Sequence, residues 1–122
     1  MKRLLERTLA ACAAAVLALP APAGAQTYPA GPIRILVPFQ AGGLTDILAR
    51  MAGQHLSGVW NVPVVVENRP GASGNIGADA VAKAPANGAL LLMGSIGTNA
   101  VNQLLMSKMP YDTQKDFTPI VL

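Results

Sequence analysis

An α/β fold built on a parallel sheet follows from three features of the sequence. Short β-branched apolar runs alternate with segments whose apolar residues recur at helical spacing. The connections between them are short. Each strand-to-helix connection carries glycine and small polar residues, as a tight turn out of a buried strand needs. Strands alternating with helices in this way pair in parallel through right-handed crossovers.

The elements run as follows. Residues 28–32 hold two prolines and form an extended lead-in. Residues 33–38 (Ile-Arg-Ile-Leu-Val-Pro) read as the first strand. The glycine pair Gly42-Gly43 turns the chain into a helix, with Thr45 as its N-cap and Asp46 in the first turn, where negative charge suits the dipole. Ile47, Leu48, Met51, Ala52, Leu56 and Val59 give this helix its expected apolar face, and His55 reads as a partly buried helix residue. The helix is expected to stop near Trp60-Asn61, with Asn61 left-handed and Pro63 blocking continuation. Residues 64–68 (Val-Val-Val-Glu-Asn) form a second strand, apolar on consecutive positions like a strand covered on both faces. A glycine loop over 69–75 leads to a short helix marked by Ile76, Ala80, Val81 and Ala84 and ended by Pro85. Asn87-Gly88 is a turn, 89–93 a third strand, and 94–98 a third small-residue loop. A third helix is expected over about 99–106, and 117–122 reads as the start of another strand.

The first 25 residues have the pattern of a secretory signal. A positive segment over 1–8 precedes an apolar run over 9–19, and Ala23-Gly24-Ala25 supplies a small-residue cleavage site. The apolar run is too short to span a bilayer. Cleavage after Ala25 would remove Cys12, the only cysteine, leaving residues 26–122 without thiol or disulfide chemistry. The formal charge of +3 is also concentrated there, since six cations face five anions after Ala25. No basic patch with interleaved aromatics supports nucleic-acid binding.

Catalytic signatures are missing. The run Gly71-x-x-Gly74-x-x-Gly77 lacks dinucleotide-binding spacing, there is no P-loop lysine, and neither Ser73 nor Ser95 sits in a nucleophile elbow. One histidine and one cysteine make no transition-metal cluster. No cofactor is implied. In an open α/β sheet the three glycine loops lie together at the carboxyl ends of the strands, the usual ligand crevice. Strand, glycine loop and helix N-terminus form a unit able to cradle an anion on backbone N–H groups. The competing explanation of each loop is a tight turn with no ligand.

Three longer motifs stand out: Pro38-Phe39-x-x-Gly42-Gly43-x-x-Asp46, the run Val65-Val66-Glu67-Asn68-Arg69-Pro70-Gly71-Ala72-x-Gly74-Asn75-Ile76-Gly77, and Pro110-Tyr111-Asp112 followed by Asp116-Phe117-x-Pro119. They are similar to the Bug family, the TctC-like periplasmic receptors of tripartite tricarboxylate transporters. Their order and spacing match the family over nearly all of 32–122; Trp60-Asn61 and Gln103 depart from it away from the loops. The resemblance implies a two-lobed, Venus-flytrap (type II) binding protein, of which this chain would hold only the N-terminal part of the first lobe, since two lobes need roughly 300 residues. It implies an exported, periplasmic receptor that captures a small carboxylate (a dicarboxylate, tricarboxylate, amino acid or aromatic acid) and serves membrane transporter subunits. The ligand-facing residues it implies are Phe39, Ala41, Gly42, Gly43, Thr45 and Asp46 in the first loop, with Ser95 and Thr98 as hydroxyl donors in the third. Asp46 has two possible roles, a structural first-turn carboxylate or a ligand to a solute amine. The alternative function is a small exported hydrolase acting on a carboxylate or ester.

Overall fold

The computed structural model describes residues 27–121; the expected signal segment and cleavage site lie outside them, as does Leu122. Three strands form one parallel sheet: β1 (Ile33–Val37), β2 (Val64–Asn68) and β3 (Leu90–Leu92), in the order β2-β1-β3. Ile35 lies opposite Val66 on one side and Leu91 on the other. Helix α1 (Leu44–Trp60) connects β1 to β2, and α2 (Asn75–Ala82) connects β2 to β3.

The two helices cover opposite faces. On α1, Gly53 faces the side chains of Ile35, Val64 and Val66. On α2, Gly77 faces Leu36 and Pro38. Ile35 and Leu36 are successive strand residues and so point to opposite sides. The core around Ile35, Val37 and Ala49 gathers Phe39, Val64, Val66, Leu91 and Met93. Arg34 and Glu67 form a two-pronged ion pair across β1 and β2, at 2.7 and 2.6 Å.

Several expectations are corrected. The N-cap of α1 is Gly43, whose carbonyl accepts the Ile47 N–H at 3.0 Å, so Thr45 lies one residue inside the helix and cannot cap it. The buried face of α1 carries Asp46, Ala49 and Gly53, while Ile47, Leu48, Met51 and Val59 are exposed among the described residues. Small residues win that face because they let the helix axis approach the sheet. His55 is exposed as well. Strand β2 lies at the sheet edge with Val65 47% exposed, so its continuous apolar pattern does not reflect two covered faces. The third helical segment begins earlier, as a π turn (Gly97–Val101) running into the short α3 (Asn102–Leu105). Residues 117–121 form no strand, and Ile120 and Val121 are exposed. The left-handed Asn61 at the end of α1 is found as expected, at φ 53° and ψ 35°.

Candidate functional site

The sheet order decides where a ligand crevice lies. The chain leaves β1 toward β2 on one side, then crosses back to β3 on the other. The gap between β1 and β3 is the topological switch point, and the carboxyl ends of strands at such a point form the ligand crevice of open α/β sheets. The loops after β1 and β3 border it directly. A hollow of about 440 Å³ lined by Tyr28, Pro32, Asn87 and Ala89 lies at the opposite, amino end of β1.

The loop after β1 is held from below by Asp46. This carboxylate is 2% exposed. Its Oδ2 accepts the Gly42 N–H at 2.8 Å and Arg50 Nε at 3.0 Å, and its Oδ1 accepts Asn68 Nδ2 at 2.9 Å. Asn68 Nδ2 also donates to the Phe39 carbonyl at 3.1 Å, while Arg50 Nη2 donates to Asn68 Oδ1 at 3.1 Å. The Arg50 guanidinium, then the Gly42 amide and Asn68, hold the Asp46 carboxyl down to about 2. Both of its oxygens are therefore engaged within the protein. Gly42 takes φ +84°, a left-handed geometry natural to glycine. Gly43 is extended, at φ −76° and ψ 168°, and its missing Cβ keeps the loop surface bare. No side chain caps α1. Its positive end thus meets solvent beside exposed Ala41, Gly42 and Gly43, an arrangement suited to an anion.

The other two loops close on the first at a single point. A Cβ on Gly74 would lie 2.6 Å from Thr98 Cγ2 and 3.3 Å from Phe39 Cζ, so the three loops interlock where residue 74 has no side chain. Gly74 itself takes φ +90°. Before it, Ala72 and Ser73 are left-handed at φ 47° and 55°. That geometry costs roughly 1–2 kcal/mol per non-glycine residue, and such strain tends to gather at functional sites.

Thr98 is fully buried. Its hydroxyl accepts the Ser95 N–H at 2.9 Å and donates its one proton to the Ser95 carbonyl at 3.1 Å or Asn99 Oδ1 at 3.0 Å. It shapes the loop and has no donor left for a solute. Ser95 is half-buried, with Oγ 3.4 Å from the Thr98 N–H.

Of the residues read from the sequence, Phe39 and Thr98 meet at Gly74, and Ala41, Gly42 and Gly43 share the exposed rim. Thr45 is half-buried inside the first turn. Sequence reasoning gave no role to Asn68, Arg50, Gly74, Asn75, Asn102 or Tyr111. Asn68 and Asn75 bracket the second glycine loop, and amide side chains beside such a loop are the signal by which the sequence could have pointed to them. Among the described residues no three of His, Cys, Asp and Glu gather as a metal-binding group.

Residues 48–122 match the family model described as "Tripartite tricarboxylate transporter family receptor". The chain belongs to this receptor family. It is 46% identical over 107 residues to Protein BugT of Bordetella pertussis, covering 87% of this chain and 33% of that protein. Two solved structures of Rhodopseudomonas palustris proteins are similar to it in fold. Rpa4515, solved with adipate, is 42% identical with a TM-score of 0.75, over 78% of this chain and 32% of that one. MatC, solved with bound malate, is 36% identical with a TM-score of 0.72, over 75% and 31%. The chain thus spans about a third of the length of the relatives it matches.

Proposed function

We propose that this chain supplies the carboxylate-gripping loops of an exported solute receptor serving a tripartite tricarboxylate transporter. One observation carries the reading. The uncapped N-terminus of α1 and the bare Gly42-Gly43 loop lie at the switch point of the sheet, where the loops after β1, β2 and β3 interlock. Backbone N–H groups at the positive end of a helix bind a carboxylate without needing a cation. The adipate and malate carried by the two R. palustris relatives are dicarboxylates, which supports the solute class.

In this reading the Gly42-Gly43 rim contacts the solute carboxyl; the Gly42 N–H is already given to Asp46, so the amides from Gly43 onward donate, with Ala41 beside them and Phe39 forming a wall. Ser95 offers a hydroxyl. Asp46, Thr45 and Thr98 position these groups from behind. Residues 1–25 direct export to the periplasm and are removed after Ala25, and membrane transporter subunits receive the solute.

Isothermal calorimetry on the full-length gene product with malate, adipate and other small carboxylates tests the reading. Reversible, stoichiometric binding without turnover is expected, and binding raises the melting temperature. Turnover of a carboxylate or ester would favour a hydrolase. Mass spectrometry of the periplasmic protein should find Gln26 at its N-terminus; an intact Met1 would defeat the export assignment.

A further inference from the structure

Behind the interlocked loops lies a polar cluster with no part in the contacts assigned so far. Asn75, Asn102 and Tyr111 are 4%, 6% and 5% exposed. Asn102 Nδ2 donates to the Ser73 carbonyl at 3.0 Å and to Asn75 Oδ1 at 2.7 Å. The Tyr111 hydroxyl lies 2.8 Å from the Thr98 carbonyl and 3.0 Å from Asn75 Oδ1, sharing one proton between them. Asn75 Nδ2 points to the sulfurs of Met106 at 2.9 Å and Met109 at 3.6 Å.

The amide orientations follow from the acceptors. The Ser73 carbonyl can only accept, so Asn102 must turn its NH2 there. Its second N–H then requires the oxygen of Asn75. The network therefore fixes both amide orientations. It ties Ser73, in the strained loop after β2, to Thr98, in the loop after β3. Among the described residues no other side-chain hydrogen bond links these two loops. The third loop runs into a helical segment of only nine residues, the π turn and α3 together, too short to hold it alone. Tyr111 arrives from beyond that helix and is seated edge-on against Phe117, with ring centroids 5.5 Å apart.

We propose that Asn75, gripped by Asn102 and Tyr111, is a positioning residue of the cleft that couples the loops after β2 and β3 into one rigid wall. The proposal rests on the receptor reading above, because the wall it builds is the one behind the solute. Fixing Ser73 and Thr98 together keeps the seat at Gly74 closed, and through it the Phe39 ring in place. A preformed wall lowers the ordering cost of binding.

The test uses Tyr111→Phe, which keeps the ring against Phe117 and removes only the hydroxyl, and Asn102→Ala, both in the full-length gene product. Amide hydrogen exchange should quicken at residues 72–75 and 97–102 together in each variant, with residues 33–37 unchanged. The Kd for malate or adipate should rise about tenfold, mainly through faster dissociation. Exchange that quickens evenly across the sheet marks a merely structural role and overturns the proposal. So does exchange confined to one loop, or a Kd within twofold of wild type. If Asn102→Ala does not fold, Tyr111→Phe decides alone. Wild-type protein that binds none of the carboxylates overturns the receptor reading and the solute-facing role, while the exchange pattern still decides whether the loops are coupled.

Discussion

Asn68 at the end of β2 and Asp46 in the first turn of α1 are joined by a 2.9 Å hydrogen bond from Nδ2 to Oδ1. The same Asn68 nitrogen reaches the Phe39 carbonyl. One amide thus fixes the exit of β1, the start of α1 and the end of β2 relative to one another. Asp46 holds its charge through this cluster. Its carboxyl titrates at about 2 in the fold against 3.8 unperturbed. A depressed folded value means the stabilisation is complete above about pH 4 and fades as pH falls toward 2. Glu67, lowered chiefly by its bond to Arg34, and Asp112, lowered chiefly by Lys115, act in the same direction. Urea midpoints measured from pH 6 to pH 2 should therefore fall, and Asp46→Asn should lower the midpoint at pH 6 and flatten the fall. An Asp46→Asn profile parallel to wild type would show that Asp46 contributes nothing to acid sensitivity.

Two helical glycines should respond to alanine with opposite signs. At Gly58, on the exposed side of α1, a Cβ meets nothing within 4 Å. Helix propensity then acts alone, and Gly58→Ala should stabilise by about 0.5–1 kcal/mol. At Gly77 a Cβ would lie 2.8 Å from Pro38 Cβ and 2.9 Å from the Arg69 carbonyl. Overpacking of roughly 1–3 kcal/mol exceeds the propensity gain, so Gly77→Ala should destabilise. Thermal melts of the two variants check this; the same sign for both would refute the close packing of α2 on β1.

The three strands of the sheet and the glycine loops were legible in the sequence, whereas the strand read from residue 117 does not form. β2 spans Val64–Asn68 as read, because three valines bounded by Pro63 and a glycine loop leave little choice. The parallel arrangement followed from alternation alone. The cluster behind the loops was not legible. Asn75, Asn102 and Tyr111 are far apart in sequence, and each taken singly reads as a solvated polar residue of a loop or of a short helix. Only the chain's return after α3 brings Tyr111 to Asn75. Thr45 was misread because its hydroxyl fits a cap pattern, whereas the backbone of Gly43 takes that position and Asp46 reaches back to Gly42 instead.

The first loop offers a test that separates binding from folding. Gly43 has an ordinary extended backbone, and a Cβ there meets only the Gln40 carbonyl at 3.6 Å. Gly43→Val should change stability by less than about 1 kcal/mol and abolish carboxylate binding, because the branched side chain covers the N-terminus of α1. Gly42→Ala should do the reverse in part, destabilising by roughly 1 kcal/mol through its left-handed φ. Calorimetry and melting on both variants decide the matter. Unchanged affinity in Gly43→Val would remove this loop from the site.

The buried face of α1 yields the last prediction. The apolar periodicity of Ile47, Leu48 and Met51 pointed the helix one way, and the sheet takes it another. Ala49 is fully buried against Ile35 and Val37, whereas Met51 is 63% exposed. The difference is one of distance. A sheet side built from Val64, Val66 and Ile35 already supplies bulk, and Gly53 lies in contact range of all three. A helix presenting alanine and glycine can settle onto that surface, while one presenting leucine and methionine would stand off and leave voids. Ala49→Leu should therefore destabilise by roughly 1–3 kcal/mol, the range for overpacking a tight interior. Met51→Lys should stay within about 0.5 kcal/mol, as an exposed substitution does. Urea denaturation of both variants ranks the two faces. A larger loss at Met51 than at Ala49 would place the wrong side of α1 against the sheet and overturn the packing described for this lobe.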